Sequence, residues 1–401
     1  MLYIYVILTV FLFLFFVFHL SSKLMAHKHG DCAVSLNKSE IKNKLISEFN
    51  GKINFVFDIP FINKGKQHAL IIDCNARLQP KGDIFRYSKV SCRVINTENV
   101  RFDDYWEGLV LKPDKTANLK ILLSIELSDS EVLKKNLENF SIDILFRYYG
   151  RGLMRFERTV IDFNSVDFEK TDKSLELIDL FSIPEKVVKE NPNADSAPSY
   201  PVKTHILMPG EDIVSIIRKY IPEPVKGDIF TIAESALAII QKRVHYVDDV
   251  KPSGLALKLS HFFLMDSSLS SPYSMQKAIN EVGAWRIILG VFAGMLGKVI
   301  GRKGDFYRVA GKPAAVIDDC TGTLPPFDKY IVMGPTDMQN EMERIKKETG
   351  MEAAVVDVND LKRVDVLAST CPEKKNIIER ALEYNPAGNG NEQTPIVVIR
   401  G

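Results

Sequence analysis

Two clusters of carboxylates in the last quarter of the chain each follow an apolar run that is typical of a β-strand. Asp318 and Asp319 follow the first run, and Asp357 and Asp360 follow the second. Carboxylates gathered at one edge of an α/β sheet can hold Mg²⁺ or Mn²⁺ against a nucleotide phosphate. The alternative is that each aspartate is an ordinary turn or helix-cap residue after a strand.

The elements between these clusters are expected to position them. Tyr330–Gly334 is predicted to be a strand, and Thr336–Thr349 a helix with its first residue as N-cap. A strand, helix and second strand in this order predict a parallel crossover, which places Asp357 at a carboxyl edge where open α/β sheets bind ligands. If the strand around Val316 is also parallel, Asp318 shares that edge.

Length and composition limit the classes of protein that the chain can represent. Its 401 residues predict about two to three domains. The 52 Lys and Arg residues nearly balance the 51 Asp and Glu residues, which argues against a nucleic-acid partner. The 5 cysteines are scattered without a CxxC pair, so they favour a reducing compartment over a disulfide framework or a zinc site.

The N-terminal segment differs in kind from the rest of the chain. Met1–Ser22 contains no Lys, Arg, Asp or Glu and is long enough to cross a bilayer, for which roughly 20 apolar residues suffice. The alternative is a cleaved signal peptide, but a basic start and a small-residue cleavage site are not evident. Because lysines such as Lys23 and Lys28 follow the segment, the positive-inside rule predicts a single-pass membrane protein with a cytoplasmic body.

The remaining chain divides into a β-rich part and an α/β part. After a neck at residues 23–52, residues 53–163 contain strand-like runs between turn residues, which predict an all-β, immunoglobulin-like sandwich. Residues 164–203 are predicted to be a linker, and residues 204–401 an α/β domain. Seven runs carry the sandwich prediction: Ile53–Ile62, Ala69–Leu78, Tyr87–Ile95, Trp106–Leu111, Asn118–Leu127, Phe140–Tyr149 and Met154–Phe163.

One further apolar stretch, Trp285–Ile300, lies in the α/β half. Arg286 and Lys298 bound its uncharged run, which has the length of a core helix and is too short for a bilayer span.

The C-terminal half resembles the coenzyme F420-0:L-glutamate ligase (gamma-glutamyl ligase) family. The resemblance rests on several segments that occur in the same order, and it leaves out the anchor and the sandwich. The segments are His205–Asp212, Gly227–Ser235, Ile317–Pro326, Val356–Asp360 and Asn385–Gly401.

The resemblance implies an enzyme that joins an amino acid such as glutamate to a small-molecule carboxylate, using GTP or ATP and Mg²⁺ or Mn²⁺. Asp318 and Asp357 match the family's two metal-binding aspartates and are the implied catalytic and metal residues, with Asp319 and Asp360 as weaker candidates. The family also forms homodimers. Positions implied to bind the nucleotide are Ile206, Leu207, Met208, Glu234, Ser235, Thr321, Gly388 and Gly390.

Departures from the family pattern keep other functions open. A lysine that follows the family's Ser-Thr pair is replaced by Ile239, its glycine-rich Gly-Glu-Gly-Gly-Asp-Gly segment becomes Gly388–Gln393 with fewer glycines, and the chain ends where characterised ligases continue. A non-catalytic nucleotide-binding or scaffold protein is therefore the first alternative. The second is an amide ligase that acts on an acid other than the F420 precursor.

Overall fold

A computed structural model describes residues 2–49, 51–80, 88–127, 140–162, 166–181, 197–358, 362–388 and 392–400. It divides into two compact units. The N-terminal unit comprises residues 1–184 and 251–276, and the C-terminal unit comprises residues 185–250 and 277–401. The grouping of residues 251–276 with the N-terminal unit is not indicated by the sequence, because these residues lie inside the α/β half of the chain.

The N-terminal segment is helical. Helix α1 (Leu2–His29) is uncharged through its first two thirds, and Tyr3–His29 is long and apolar enough to cross a membrane. Many of its large side chains are exposed, including Tyr3, Phe13 and Phe16. Length and composition alone are weak support for a membrane span, so the anchor stays a prediction.

Strands dominate the N-terminal unit, and all seven predicted strand-like runs contain one. The strands are β1 (Val34–Leu36), β2 (Lys42–Phe49), β3 (Lys52–Asn63), β4 (Ala69–Pro80), β5 (Ser88–Asn96), β6 (Leu109–Leu111), β7 (Thr116–Leu127), β8 (Phe140–Tyr149), β9 (Arg155–Asp162) and β10 (Glu169–Lys170). A short helix, α2 (Leu177–Leu180), follows them.

These strands form two sheets that share one apolar core. One sheet has the order β10-β2-β3-β7-β5 with β1 paired to β3, and the other has the order β6-β4-β8-β9. Alternate residues of β3, β7 and β8 point into the core, for example Phe57, Ile121 and Ile144, all with no exposed surface. Two layers are therefore present, whereas an immunoglobulin-like topology stays a prediction.

The sheets extend beyond the residues predicted for the sandwich. Strands β1 and β2 lie within the predicted neck, and β10 lies within the predicted linker, yet β1 and β2 pair with β3 and β10 pairs with β2. These strands are short or polar, so they lack the apolar alternation that marks a strand in the sequence.

Arg151 joins residues 251–276 to the strands of the N-terminal unit. It is 2% exposed and donates from Nε to Gln67 Oε1 (3.1 Å), from Nη1 to Ser260 O (2.7 Å) and from Nη2 to Phe263 O (2.6 Å). Tyr273 Oη also accepts a hydrogen bond from the Met154 amide at 2.7 Å. Burial lowers the pKa of Arg151 to about 10, so the guanidinium stays charged at neutral pH.

Most of the remaining elements belong to the C-terminal unit. Its strands are β11 (Ser199–Val202), β12 (Ile229–Ala233), β13 (Val244–Tyr246), β14 (Tyr330–Val332), β15 (Glu352–Val358), β16 (Val364–Ser369) and β17 (Ile396–Ile399). The helices after α2 are α3 (Ile213–Tyr220), α4 (Glu234–Ile240), α5 (Gly254–Ser260), α6 (Pro272–Val282), α7 (Ala284–Val299), α8 (Asp305–Ala310), α9 (Lys312–Ala315), α10 (Met338–Thr349) and α11 (Lys375–Leu382). Of these, α5 belongs to the N-terminal unit, and α6 straddles the division.

The main sheet of this unit is covered on both faces. Its order is β11-β17-β12-β15-β16, in which β12 and β15 are parallel and the other pairs are antiparallel. Apolar residues of α3, α4 and α10 pack on one face, around Phe230 and Val355. Residues of α11 pack on the other face, around Ala354 and Val397.

Three local predictions around the carboxylates are wrong. The run before Asp318 forms helix α9 and a single β-bridge instead of a strand. Strand β14 pairs antiparallel with β13 in a separate two-stranded sheet, so β14, α10 and β15 do not form a parallel crossover. The N-cap of α10 is Asp337 instead of Thr336. A short apolar run determines neither its backbone conformation nor its strand partner, which explains the first two errors.

Candidate active site

The parallel pair of β12 and β15 brings two carboxylates to one edge of the main sheet. Ala233 is the register partner of Val356, so the next residues along the two strands, Glu234 and Asp357, lie side by side. Adjacent strands are about 4.8 Å apart, which places both side chains in one neighbourhood. Glu234 is also the first residue of α4. Asp357 is therefore at the predicted carboxyl edge, although its parallel partner is β12.

Asp318 reaches this neighbourhood through the small sheet. Its amide donates to Val332 O at 2.8 Å, and the Val332 amide donates to Asp318 O at 3.0 Å. Strand β14, which ends at Val332, packs beside α4. Gly334 permits this arrangement, because a Cβ at Gly334 would lie 2.2 Å from Val316 Cγ2.

The charges of the three carboxylates act on one another. Desolvation, reinforced by the negative charges of Asp357 and Asp318, raises the pKa of Glu234 to about 7. Desolvation, with Asp357 and Asp319 adding to it, raises the pKa of Asp318 to about 6. Desolvation also raises the pKa of Asp357, as does Asp365, whereas Arg363 opposes the rise. The site thus carries more negative charge than its surroundings compensate.

Solvent still reaches this cluster. Asp318 and Asp357 are exposed, and Glu234 is half-buried. A group that is exposed and yet desolvated enough to shift its pKa is typical of a recess in the surface, since protein surrounds it on several sides. We call Glu234, Asp318 and Asp357 the carboxylate cluster.

Two loops predicted to bind the nucleotide meet beside the carboxylate cluster. The Ala233 amide donates to Pro395 O at 3.0 Å, and the Thr204 amide donates to Gln393 O at 2.9 Å. These bonds fix the segment after Gly388 to the end of β12 and to the residue before His205.

The glycine-rich segment is only partly described. Gly388 has a positive φ of 73°, and a Cβ there would lie 2.8 Å from the Glu392 carboxyl carbon. A carboxylate therefore lies next to Gly388, where a phosphate-binding backbone was predicted. Gly390 and Asp360 lie outside the described residues.

The segment at His205 is held by its own side chains. His205 bonds through Nδ1 to Tyr220 Oη and through Nε2 to Glu211 Oε1, both at 2.6 Å, while Glu211 Oε2 accepts from the Met208 amide at 2.6 Å. Of the predicted nucleotide positions, Leu207 is buried in the core. Ile206 and Met208 are 41% and 50% exposed, so their side chains are accessible to a ligand.

Thr321 and Ser235 are the remaining predicted contacts. Thr321 has a positive φ of 68°, and its amide donates to the carbonyl oxygen of buried Asp328 at 2.6 Å. This turn lies three residues after Asp318. Ser235 follows Glu234 in the first turn of α4 and is half-buried.

The carboxylate cluster is the candidate site for the implied metal. Within the described residues, no three His, Cys, Asp or Glu side chains are arranged to hold one ion. Mg²⁺, however, usually takes one or two protein carboxylates and completes its shell with water and phosphate oxygens. Asp318 and Asp357 are oxygen donors with uncompensated charge, so the residues present fit such an ion.

Ile239, at the position of the missing family lysine, lies in helix α4. Ile239 is 7% exposed in α4, so an ammonium group there would be buried. Lys242, three residues later, packs its Cε 2.7 Å from the position of a Cβ on Gly210, in the loop that follows Met208. Arg243 is engaged elsewhere, since its guanidinium bonds to Gly334 O and Glu281 at 2.7 Å each.

The comparison with protein families confirms the resemblance. Residues 201–363 match the family model described as F420-0:Gamma-glutamyl ligase. The C-terminal half therefore carries a domain of this family, whose matched range includes all three members of the carboxylate cluster. No curated protein matches the chain.

Solved structures similar to parts of the chain give no further assignment. The GAE domain of GGA2p from Saccharomyces cerevisiae is 11% identical, covering 33% of this chain and 87% of its own, with a TM-score of 0.17. The yeast GGA1 GAE domain is 11% identical, covering 30% and 98%, also with a TM-score of 0.17. TM-scores this low do not establish a shared fold.

Sequence reasoning missed the part that Glu234 plays in the cluster. It placed Glu234 at a nucleotide-contacting position and considered only aspartates as metal-site carboxylates. The signal was present, because Glu234 directly follows the apolar run Ile229–Ala233, as Asp357 follows its own run. Only the strand pairing shows that the two runs are parallel neighbours.

Proposed function

We propose that the C-terminal domain is an acid–amino-acid ligase that uses GTP or ATP and a divalent metal. The observation that carries this proposal is the carboxylate cluster at the parallel edge of β12 and β15, inside the range that matches the ligase family. Its substrates are a small-molecule carboxylate and an amino acid, with glutamate the first candidate. The acid is the F420 precursor or another small-molecule carboxylate, and the mass of the labelled product identifies which.

Amide formation from a carboxylate in water requires a better leaving group than hydroxide. Phosphoryl transfer supplies one as an acyl phosphate, and the protein must align the carboxylate and compensate charge. Asp318 and Asp357 would hold Mg²⁺ or Mn²⁺, which when bound neutralises phosphate charge. The loops at His205 and Gly388 would position the nucleotide, since the segment after Gly388 is bonded both to the end of β12 and to Thr204.

A direct assay follows from this chemistry. Full-length protein in detergent is incubated with GTP or ATP, Mn²⁺, isotope-labelled glutamate and a small-molecule extract of the host. We expect a product that carries the label and depends on nucleotide, together with release of inorganic phosphate. An Asp318→Asn/Asp357→Asn variant is the matched control, and equal labelling by that variant would contradict the proposal.

A non-catalytic nucleotide-binding protein is the second candidate. It is favoured by the buried Ile239, which cannot supply the lysine of the family without placing a charge in the core. If this candidate holds, nucleotide and Mn²⁺ stabilise the protein while no phosphate is released with any acceptor. If the domain is instead an active ligase, Lys242 takes the role of the missing family lysine, since its side chain lies beside the loop at Gly210.

We also propose that α1 anchors the protein in a membrane as a single span, with the body in the cytoplasm. The apolar helix and the lysines after it support this orientation. The protein should remain in the membrane fraction through an alkaline carbonate wash. Homodimer formation, implied by the family resemblance, is tested by sedimentation in detergent.

A further inference from the structure

Helix α7 buries one face, on which Ile287 and Val291 lie, and exposes a row of large apolar residues on another. Its exposed apolar residues follow a spacing of four, three, four and three, which puts them on one face of a helix. We call this face the apolar stripe: Trp285, Leu289, Phe292, Leu296 and Val299. Four of these side chains are largely exposed, at 68% for Trp285, 56% for Leu289, 69% for Leu296 and 85% for Val299, and Phe292 is half-buried.

The opposite face of α7 explains how the helix is held. Gly290, Gly294 and Gly297 recur on it, and a Cβ on Gly290 or Gly294 would lie 3.0 or 3.3 Å from Phe306. A Cβ on Gly297 would lie 2.3 Å from Asp305 Oδ2. Because the glycines let α8 pack closely on this face, the apolar stripe points away from its own unit. The core helix predicted from the sequence therefore buries the face that carries its glycines, Ile287 and Val291, and leaves the apolar stripe exposed.

Basic residues lie within and directly after the helix that carries the apolar stripe. Residues 284–312 contain six basic side chains, at positions 286, 298, 302, 303, 308 and 312, and one acidic side chain, Asp305. Asp305 pairs with Arg302 and Arg308. Among the described residues, no ion pair joins Lys298, Lys303 or Lys312 to a carboxylate, and Lys298 and Lys303 are exposed. This segment is strongly basic in a chain whose net charge is only +1.

We propose that the apolar stripe of α7 lies in the surface of an anionic membrane. A helix with Trp and Leu on one face and Lys and Arg around it is typical of an interfacial helix, which inserts its apolar face among lipid headgroups. The basic residues complement anionic lipid, and each such cation near the surface contributes to binding. The inference builds on the proposed cytoplasmic anchor, because anionic lipids concentrate in the cytoplasmic leaflet.

The geometry favours a helix in the membrane surface over a membrane span. The 16 residues of α7 extend about 24 Å, which is short of the roughly 30 Å hydrocarbon core. Helix α6 precedes it with a bend of 114°, so the pair does not form one straight span. The charge around the stripe also argues against a second copy as the occupant, since like charges would meet across a symmetric contact.

Tryptophan fluorescence provides a site-specific test. The chain has 2 tryptophans, of which Trp106 is 9% exposed in the sandwich core and Trp285 lies on the stripe. Full-length protein is reconstituted into vesicles whose acyl chains carry bromine, which quenches indole on contact. We expect Trp285 emission to be strongly quenched in vesicles rich in phosphatidylglycerol and much less in phosphatidylcholine. Trp285→Phe should remove the quenched component.

Double variants distinguish the contribution of charge to membrane binding from that of apolar contact. Arg302→Gln/Lys303→Gln should lower the ratio of surface-bound to unbound helix roughly 30-fold, whereas the exposed control pair Lys226→Gln/Lys347→Gln should not change it. Leu289→Gln/Leu296→Gln should abolish quenching while circular dichroism stays unchanged, since both side chains are exposed. Release of the full-length protein from the vesicles by an alkaline carbonate wash would indicate failure of the anchor. This release is measured independently of quenching.

Two results would overturn the proposal. The first is absence of Trp285 quenching in anionic vesicles. The second is self-association in detergent that is lost in Leu289→Gln/Leu296→Gln, together with quenching that does not depend on anionic lipid, which would identify a second copy as the occupant of the stripe.

Discussion

At the scale of single residues, Asp318 and Asp357 give the most direct test of the site. Asn is nearly isosteric with Asp, and removing one negative charge relieves repulsion in the carboxylate cluster. Asp318→Asn and Asp357→Asn should therefore melt at or slightly above the wild-type temperature without ligand. Each should lose the Mn²⁺-dependent stabilisation by GTP or ATP, and any turnover should fall on the order of 10²–10³-fold.

Thermal melts with and without nucleotide and Mn²⁺ provide the measurement. Asp249→Asn, at an exposed aspartate elsewhere in the unit, is the matched control and should keep the wild-type response. A full nucleotide response in both site variants would remove these aspartates from the proposed site.

Glu234 predicts a dependence of stability on pH. Its pKa rises from 4.5 to about 7 on folding, so between these values the folded protein holds a proton that the unfolded chain has released. The free energy of unfolding must then fall as pH rises through this window. Glu234→Gln cannot ionise, and it should reduce this loss of stability between pH 5 and pH 7.

Denaturant melts of the metal-free protein across that pH range test the prediction. Glu373→Gln, at an exposed glutamate in a different part of the unit, serves as the control and should retain the wild-type profile. A wild-type pH profile in Glu234→Gln would mean that the cluster is better solvated than its geometry indicates.

At the scale of elements, the sequence predicted local structure better than pairing. Alternating apolar residues identified the strands of the sandwich because each buries one face, as in Leu119–Leu127 of β7. The same logic failed at residues 313–317, where the chain forms helix α9 and leads into a β-bridge, and where only Ala314 and Ile317 are buried. A short apolar run determines neither the backbone conformation nor the extent of burial.

At the candidate site, too, local structure was easier to predict than strand pairing. Asp357 was predicted at a carboxyl edge because it ends an apolar strand, and the structure places it there beside β12. Glu234 lies near Asp357 because Ala233 pairs with Val356, about 120 positions away. Asp318 is placed by its pairing with Val332, about 15 positions away. Such contacts leave no periodic signal in the sequence.

Gly334 predicts that the small sheet controls the position of Asp318. An added methyl group at Gly334 would collide with Val316, whose side chain is short and branched close to the backbone. Gly334→Ala should therefore displace the segment that carries Asp318 and weaken nucleotide binding in the presence of Mn²⁺. Calorimetric titration measures the affinity, and circular dichroism checks that the fold persists.

A second substitution tests the cause. Val316→Ala removes Cγ2, the atom that the new methyl group would approach most closely, so Gly334→Ala/Val316→Ala should regain most of the affinity. Val316→Ala alone should bind nearly as the wild type does, since this side chain is 36% exposed. Absence of rescue would assign the effect of Gly334→Ala to the backbone.

At the scale of the whole molecule, Arg151 ties residues 251–276 to the strands of the N-terminal unit. Arg151→Ala leaves Gln67, Ser260 and Phe263 without their buried donor. Loss of hydrogen bonds to a charged group should lower the free energy of unfolding on the order of 3 kcal/mol. Hydrogen exchange should accelerate within residues 251–276 more than within the main sheet of the C-terminal unit.

Arg218→Ala is the matched control, because Arg218 is exposed and its ion pair with Glu348 is long, at 3.9 Å. It should change neither the unfolding free energy nor the exchange rates appreciably. A chain shortened to residues 200–401 should show the same faster exchange within residues 251–276 as Arg151→Ala, since it also lacks Arg151. Wild-type exchange in both would show that residues 251–276 hold their structure unaided.

The return of the chain to the N-terminal unit sets an order of events on the ribosome. Ser260 and Phe263, the acceptors of Arg151, follow it by 109 and 112 residues. At roughly 5–20 residues per second, translation takes about 6 to 22 s to cover that interval. The strands of the N-terminal unit are therefore synthesised first, but their unit is not complete until part of the ligase-family region has been translated. During those seconds Arg151 lacks the two carbonyl acceptors that it has in the folded protein.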